Sequence, residues 1–285
     1  MWQMNFWNGR IQVVTGPSNG PTLLMLHGVS RRWQTFQPLL PALIPFFQVV
    51  LLDHRGHGKS RPTADGSYLV VDYIADAAAV ARSLQHPLFI YGHSLGAMTA
   101  AGVAAAMPEQ VRGLILEDPP FDTMGRGIFQ TRLHSQFQGM QKLAGSAASV
   151  EEVAKRLAAV ELVDPNGGPT IRMCDVRDAA SLRFSAACLK NVDPHVFDSI
   201  VAGDWLNGYD RAAILKSIPC PTLLLQADVK NDGMWPDEEA RKVESELSSA
   251  VRIPFPGAPH LLHGSRTQEL ANHVLGFLAS MERSE

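Results

Sequence analysis

LFIYGHSLGAMTAAG, residues 88–102, sets one serine between two glycines at the junction of two unlike runs. Leu88 to Tyr91 is bulky and partly β-branched and reads as a buried strand. Ala97 to Met107 is rich in alanine, reads as a helix, and is stopped by Pro108. Gly92, Ser94 and Gly96 therefore occupy the turn. A strand-to-helix turn this tight leaves little room for a Cβ beside the serine, and glycine stands on both sides.

Outward from this turn the same alternation continues. Thr22 to His27, Val49 to Asp53, Gly113 to Asp118 and Pro221 to Asp228 are continuous apolar runs, which suit strands covered on both faces in a parallel sheet. Helical patterns lie between them: Trp33 to Ile44, Val71 to Leu84, Ser94 to Met107, Pro236 to Leu247 and Thr267 to Met281. This rhythm predicts an α/β fold with a doubly wound, mostly parallel sheet. It breaks between about Pro119 and Pro219, where helical patches such as Glu151 to Val163, with Ser149 as a cap, replace strands. Residues 1–118 and 220–285 are thus read as the core, and 119–219 as a helical cap or lid inserted into it.

The chemistry starts at Gly92-His93-Ser94-Leu95-Gly96, which fits the G-x-S-x-G nucleophile elbow. Such a turn lifts the Ser94 hydroxyl above the sheet and points the Leu95 N–H and the helix start at the same spot. The loop LHGVSRRW, residues 26–33, follows an earlier strand and can bring the Val29 N–H beside that of Leu95, making an oxyanion hole. His27 reads as a structural hydrogen-bonder. A serine hydroxyl needs a base, and the elbow calls for a late histidine; His260, in PFPGAPHLLHGS, is the candidate.

These segments bring a resemblance into view. LHGV (26–29), DHRGHGKS (53–60), GHSLGA (92–97) and GAPHLLH (257–263), before a helix ending in GFLAS, are similar to those of the α/β-hydrolases, of the single-domain type with an inserted cap. The resemblance spans almost the whole chain. It departs at Pro259, where the family usually has glycine before its histidine, and it implies structural roles for Asp53 and Arg55. It also implies an acid that accepts the Nδ1–H of His260. Most of the family carries that acid after the strand matched by PTLLLQAD. The counts there fall on Lys230, which cannot serve, and on Asp232, with Asp228 between. Other members carry it one strand earlier, at Asp118, beside Glu117. Alternation makes those two side chains point oppositely. Asp118 is preferred, with Asp228 and Asp232 as alternatives. Serine rather than aspartate at position 94 argues against haloalkane dehalogenase or epoxide hydrolase.

The expected function is a serine hydrolase working through an acyl-enzyme on a carboxylic ester or lactone. Amide or C–C cleavage of a carboxylate-bearing substrate uses the same equipment. Rivals are a ligand-binding receptor on the same fold and a cofactor-independent oxygenase or perhydrolase. Trp33 and Arg126 are the candidates for touching substrate, Arg126 as one of the arginines of the insertion with Arg132, Arg156, Arg172, Arg177 and Arg183. Met124, Phe129, Phe137, Met140, Phe184 and Trp205 could line an apolar pocket or form the insertion's own core.

With 285 residues and a net charge of −3, the chain can bury one sizeable core and offers no basic surface for nucleic acid. The start, MWQMNFWNGR, lacks the pattern of a secretory leader, and no segment reaches the length of a membrane span. The three cysteines, Cys174, Cys188 and Cys220, read as buried thiols of a cytoplasmic protein; a Cys174–Cys188 disulfide is not favoured. Neither metal nor cofactor is expected. A monomer or homodimer acting on a small molecule is.

Overall fold

Eight strands form one sheet in the order β1-β2-β4-β3-β5-β6-β9-β10. In chain order the strands are β1 (Gln3–Trp7), β2 (Ile11–Thr15), β3 (Thr22–Leu26), β4 (Gln48–Leu52), β5 (Leu88–His93), β6 (Val111–Glu117), the two-residue pair β7 (Glu161–Leu162) and β8 (Ile171–Arg172), β9 (Thr222–Ala227) and β10 (Ala250–Phe255). From β4 across to β10 all pairings are parallel; β1 and β2 are antiparallel additions at one edge. The computed structural model describes residues 1–282.

The continuous apolar runs are explained by cover on both faces. Leu24, Ile90, Leu116 and Leu224 pack in the layer that holds Tyr73, Ala77 and Ala101, from the helices Val70–Arg82 and Leu95–Ala106. Their neighbours Leu23, Met25, Phe89, Ile115 and Leu225 face the opposite layer, with Phe36 and with Leu270, Val274 and Leu278 of the helix Thr267–Glu282. The alternation is the two-residue period of a strand.

The segment between β6 and β9 is mainly helical, with Leu133–Gln141, Val150–Ala158 and Ala179–Leu189 as its longer helices. Ser149 caps the second of these by accepting the Glu152 N–H at 3.1 Å. Three points differ from the sequence reading. Trp33 to Ile44 holds only a 3₁₀ turn, Trp33–Phe36, and one helical turn, Leu40–Leu43, because Pro38, Pro41 and Pro45 punctuate it. The β1–β2 hairpin was not foreseen, although its turn carries Asn8-Gly9 at φ 46° and 65°, a strong hairpin signal. All three cysteines are free, and Cys174 is exposed rather than buried. Among the described residues no helix is long and apolar enough to cross a membrane.

Candidate active site

At the end of β5 the chain turns sharply at Ser94, which sits at φ 55° and ψ −118° and hands over to the helix starting at Leu95. Only a bare backbone fits around it. A Cβ on Gly92 would lie 2.1 Å from the Gly96 carbonyl oxygen, and one on Gly96 would lie 1.9 Å from that of Leu26. The Ser94 N–H donates to the Glu117 carbonyl at 2.9 Å, which ties the turn to the end of β6. Leu95 N–H is the first of its helix and has no carbonyl a turn earlier to receive it.

Val29 lies in the neighbouring loop, and three buried histidines hold that loop. His27 Nδ1–H donates to the Gly28 carbonyl at 2.8 Å, while His27 Nε2 accepts the His54 N–H at 3.1 Å. His54 Nε2–H returns a bond to the His27 carbonyl at 3.0 Å. His57 Nε2 accepts the Ser30 N–H at 3.0 Å, and its Nδ1–H donates to the Arg55 carbonyl at 2.9 Å. Each tautomer is set by an acceptor that cannot donate. Burial pushes His27 well below the ordinary histidine range, His54 down to about 3 and His57 down to about 4. Asp53 accepts the Trp33 and Lys59 N–H groups at 2.7 and 3.1 Å, yet burial still lifts its carboxyl to about 6. Arg55 grips Asp76 at 2.6 and 2.8 Å.

This cluster makes stability sensitive to acid. An unfolded chain protonates these histidines near pH 6.5, whereas in the folded chain burial keeps His27 neutral well below that, His54 down to about pH 3 and His57 down to about pH 4. Their contribution is complete above about pH 6.5 and is lost as pH falls. Asp53, raised, opposes one of them by keeping its proton in the folded chain between about pH 4 and 6. Stability is therefore expected to fall as the pH drops from 7 to 5. Urea midpoints measured at pH 7 and pH 5 test this; equal midpoints would refute it.

Glu117 ends β6 and Asp118 follows it, and the two carboxylates take different partners. Asp118 is fully buried at φ 44°. Its Oδ1 accepts the Ala227 N–H at 3.1 Å, and its Oδ2 accepts the Met234 N–H at 2.9 Å and faces His260 Nδ1 at 2.5 Å. Glu117 takes the other histidine of the same loop. Its Oε1 accepts the His263 backbone N–H at 3.0 Å, its Oε2 lies 2.7 Å from His263 Nδ1, and the Tyr91 hydroxyl donates to Oε2. His263 Nε2 meets the Thr35 hydroxyl at 2.9 Å. Burial alone would raise the Glu117 carboxyl; the charge of His263 and these hydrogen bonds overcome it and bring it down to about 2. His93 completes the layer. Its ring packs 4.6 Å from that of His260, and its Nε2–H donates to the His260 carbonyl at 3.1 Å. His93, Glu117 and His263 bring metal-ligand atoms within 4.8 Å of one another, but Glu117 and His263 already satisfy each other.

Ser94, His260 and Val29 open onto one cavity of about 350 Å³, at the lower end of the ligand-site range. Leu133, Phe137, Met140, Leu157, Met173 and Leu182 bring apolar side chains to it from the segment between β6 and β9. Met124 and Trp205 are buried, and Phe129 is exposed; none of the three lines the cavity. The two other acid candidates are engaged elsewhere. Asp228 braces its own loop by accepting the Lys230 and Gly257 N–H groups, each at 2.9 Å. Asp232 reaches the cavity wall but is ion-paired with Arg177. Trp33 and Arg126 lie outside the cavity lining. Asp53 holds the Trp33 backbone and its ring stacks on Trp2 at 6.4 Å, while Arg126 is exposed on a 3₁₀ turn. Arg31 is the cation that does line the cavity from the core side. It follows Val29 by two residues, and that spacing was the available signal.

Residues 23–273 match the model of the alpha/beta hydrolase family. The chain is 34% identical over 268 residues to the magnesium-chelatase 30 kDa subunit of Rhodobacter capsulatus, covering 93% of this chain and 89% of that one. It is 33% identical over 135 residues to the 2-(acetamidomethylene)succinate hydrolase of Mesorhizobium japonicum, covering 46% of this chain and 48% of the relative. That match thus spans about half of the relative's length. Among solved structures, that of E-2-(acetamidomethylene)succinate hydrolase superposes with a TM-score of 0.73 at 21% identity, over 98% of this chain and all of the other.

Proposed function

The chain belongs to the alpha/beta hydrolase family and is a hydrolase, and from that premise we propose that it cleaves a small carboxylic ester or lactone through Ser94, His260 and Asp118. The observation that carries this reading is the 2.5 Å approach of His260 Nδ1 to the buried Asp118, with His260 and Ser94 on one cavity. Asp118 fixes the tautomer, so that Nε2 is free to take the Ser94 proton. Ser94 Oγ attacks the carbonyl carbon, and the Val29 and Leu95 N–H groups receive the developing oxyanion. His260 returns the proton to the leaving group. Water, deprotonated by the same histidine, then releases the acid from Ser94. Residues 119–219 act as the cap, and their apolar side chains exclude water from the acyl-enzyme.

The test is covalent. Incubation with a fluorophosphonate should add one phosphonyl group to the peptide containing Ser94, and should stop p-nitrophenyl butyrate hydrolysis in proportion. An unlabelled protein that leaves this ester intact would instead support the receptor reading.

A further inference from the structure

The cavity that holds Ser94 also holds a cation with no counterion. Arg31 stands on the loop that carries Val29, and its N–H closes a tight turn on the Gly28 carbonyl at 3.2 Å. Its side chain crosses to the helix Ala179–Leu189, where Nη1 donates to the Ser185 hydroxyl at 2.9 Å and the Phe184 ring lies 5.9 Å from the guanidinium carbon. Among the described residues no carboxylate reaches it at ion-pair distance. The charged neighbours on the cavity wall are spoken for. Arg177 is paired with Asp232, and Asp178 accepts the Ser181 N–H and hydroxyl at 2.8 and 2.9 Å as the cap of that helix. Burial pulls the Arg31 guanidinium down from its usual range, and the nearby Arg177 adds to this. Arg31 is partly buried, and holding a guanidinium there with no carboxylate beside it is unfavourable. A site that tolerates the cost while five N–H donors meet one hydroxyl is set up for an incoming anion.

We propose that Arg31 is the anchor for a carboxylate carried by the substrate, so that the enzyme acts on half-esters and similar acyl compounds with a free carboxylate. This rests on the reading of Ser94 as nucleophile. The planar guanidinium fork matches a carboxylate edge, which favours a carboxylate as the group it receives. Because Arg31 and Val29 share one short turn, a carboxylate bound there fixes the carbonyl relative to the oxyanion donors.

The experiment compares two esters of equal acyl length, p-nitrophenyl hydrogen glutarate and p-nitrophenyl valerate. The wild type, Arg31→Met and Arg31→Lys are assayed on both. The expected ratio of kcat/KM, charged over neutral, is about 10 to 100 in the wild type, near one in Arg31→Met, and between these in Arg31→Lys. A wild type without this preference, or an Arg31→Met that retains it, overturns the proposal. Free glutarate and inorganic phosphate are then tested as stabilisers of the wild type and Arg31→Met. Stabilisation by glutarate that depends on Arg31 supports the anchor. Stronger stabilisation by phosphate overturns the carboxylate assignment. If neither ester is hydrolysed, the nucleophile reading falls, and the glutarate result still decides the role of Arg31.

Discussion

Ser94→Ala should reduce kcat/KM for p-nitrophenyl butyrate by about a million-fold and leave the fold intact. The loss is large because the alanine keeps every hydrogen bond of the turn and removes only the group that forms the acyl bond. What survives is the modest rate that oxyanion donors and binding supply without a nucleophile. The backbone cost of φ 55° is unchanged, since alanine has the same Cβ as serine. The thermal midpoint should therefore shift little. A variant that keeps even a tenth of the wild-type rate would show that Ser94 is not the nucleophile.

Asp118→Asn comes next in size, with an expected loss of about ten-thousand-fold in kcat. Asparagine fills the same space but offers an amide where His260 Nδ1 needs an acceptor, so the imidazole turns to the wrong tautomer and its cation is no longer stabilised. Asp228→Asn is the matched control. Its carboxylate braces Lys230 and Gly257 and does not meet His260, so its rate should stay within about threefold of the wild type. Urea midpoints for both variants separate a chemical effect from unfolding, because Asp118 also accepts the Ala227 and Met234 N–H groups. If Asp228→Asn proves the crippled variant and Asp118→Asn the active one, the acid has been misassigned.

The sheet core was legible because each of its strands obeys a local rule. Five continuous apolar runs, each met by a helix pattern or a turn, map onto β3, β4, β5, β6 and β9 within about two residues. The serine turn was legible for a steric reason, since no other residue fits at positions 92 and 96. For the acid the sequence favours Asp118 while leaving Asp228 and Asp232 open, because the partner of His260 depends on a contact across 142 positions of chain and loop length between β9 and the next helix blurs any count. The anchor was missed for a related reason. Arginines are frequent in the insertion, whereas the one that lines the cavity without an ion pair stands just after Gly28 in the core loop. Whether a cation has a partner is decided by tertiary packing alone. Tyr91, Thr35 and His263 lie in sequence in a strand run, a helical pattern and a loop, and only the fold brings Tyr91 and His263 to Glu117 and Thr35 to His263.

The adjacent carboxylates at the end of β6 have a consequence for how the molecule fails. Glu117 secures His263 and Asp118 secures His260, and the two histidines are three residues apart on one loop. A slip of β6 by one residue would put one carboxylate in the other's place and carry the second away from its histidine. Both attachments would be lost together, and the loop would come away from the sheet. If Ser94, His260 and Asp118 act as proposed, hydrolytic turnover is a register gauge: a chain with β6 misaligned against β9 should be silent rather than slow, and the specific activity of a refolded sample should count the correctly aligned molecules in it.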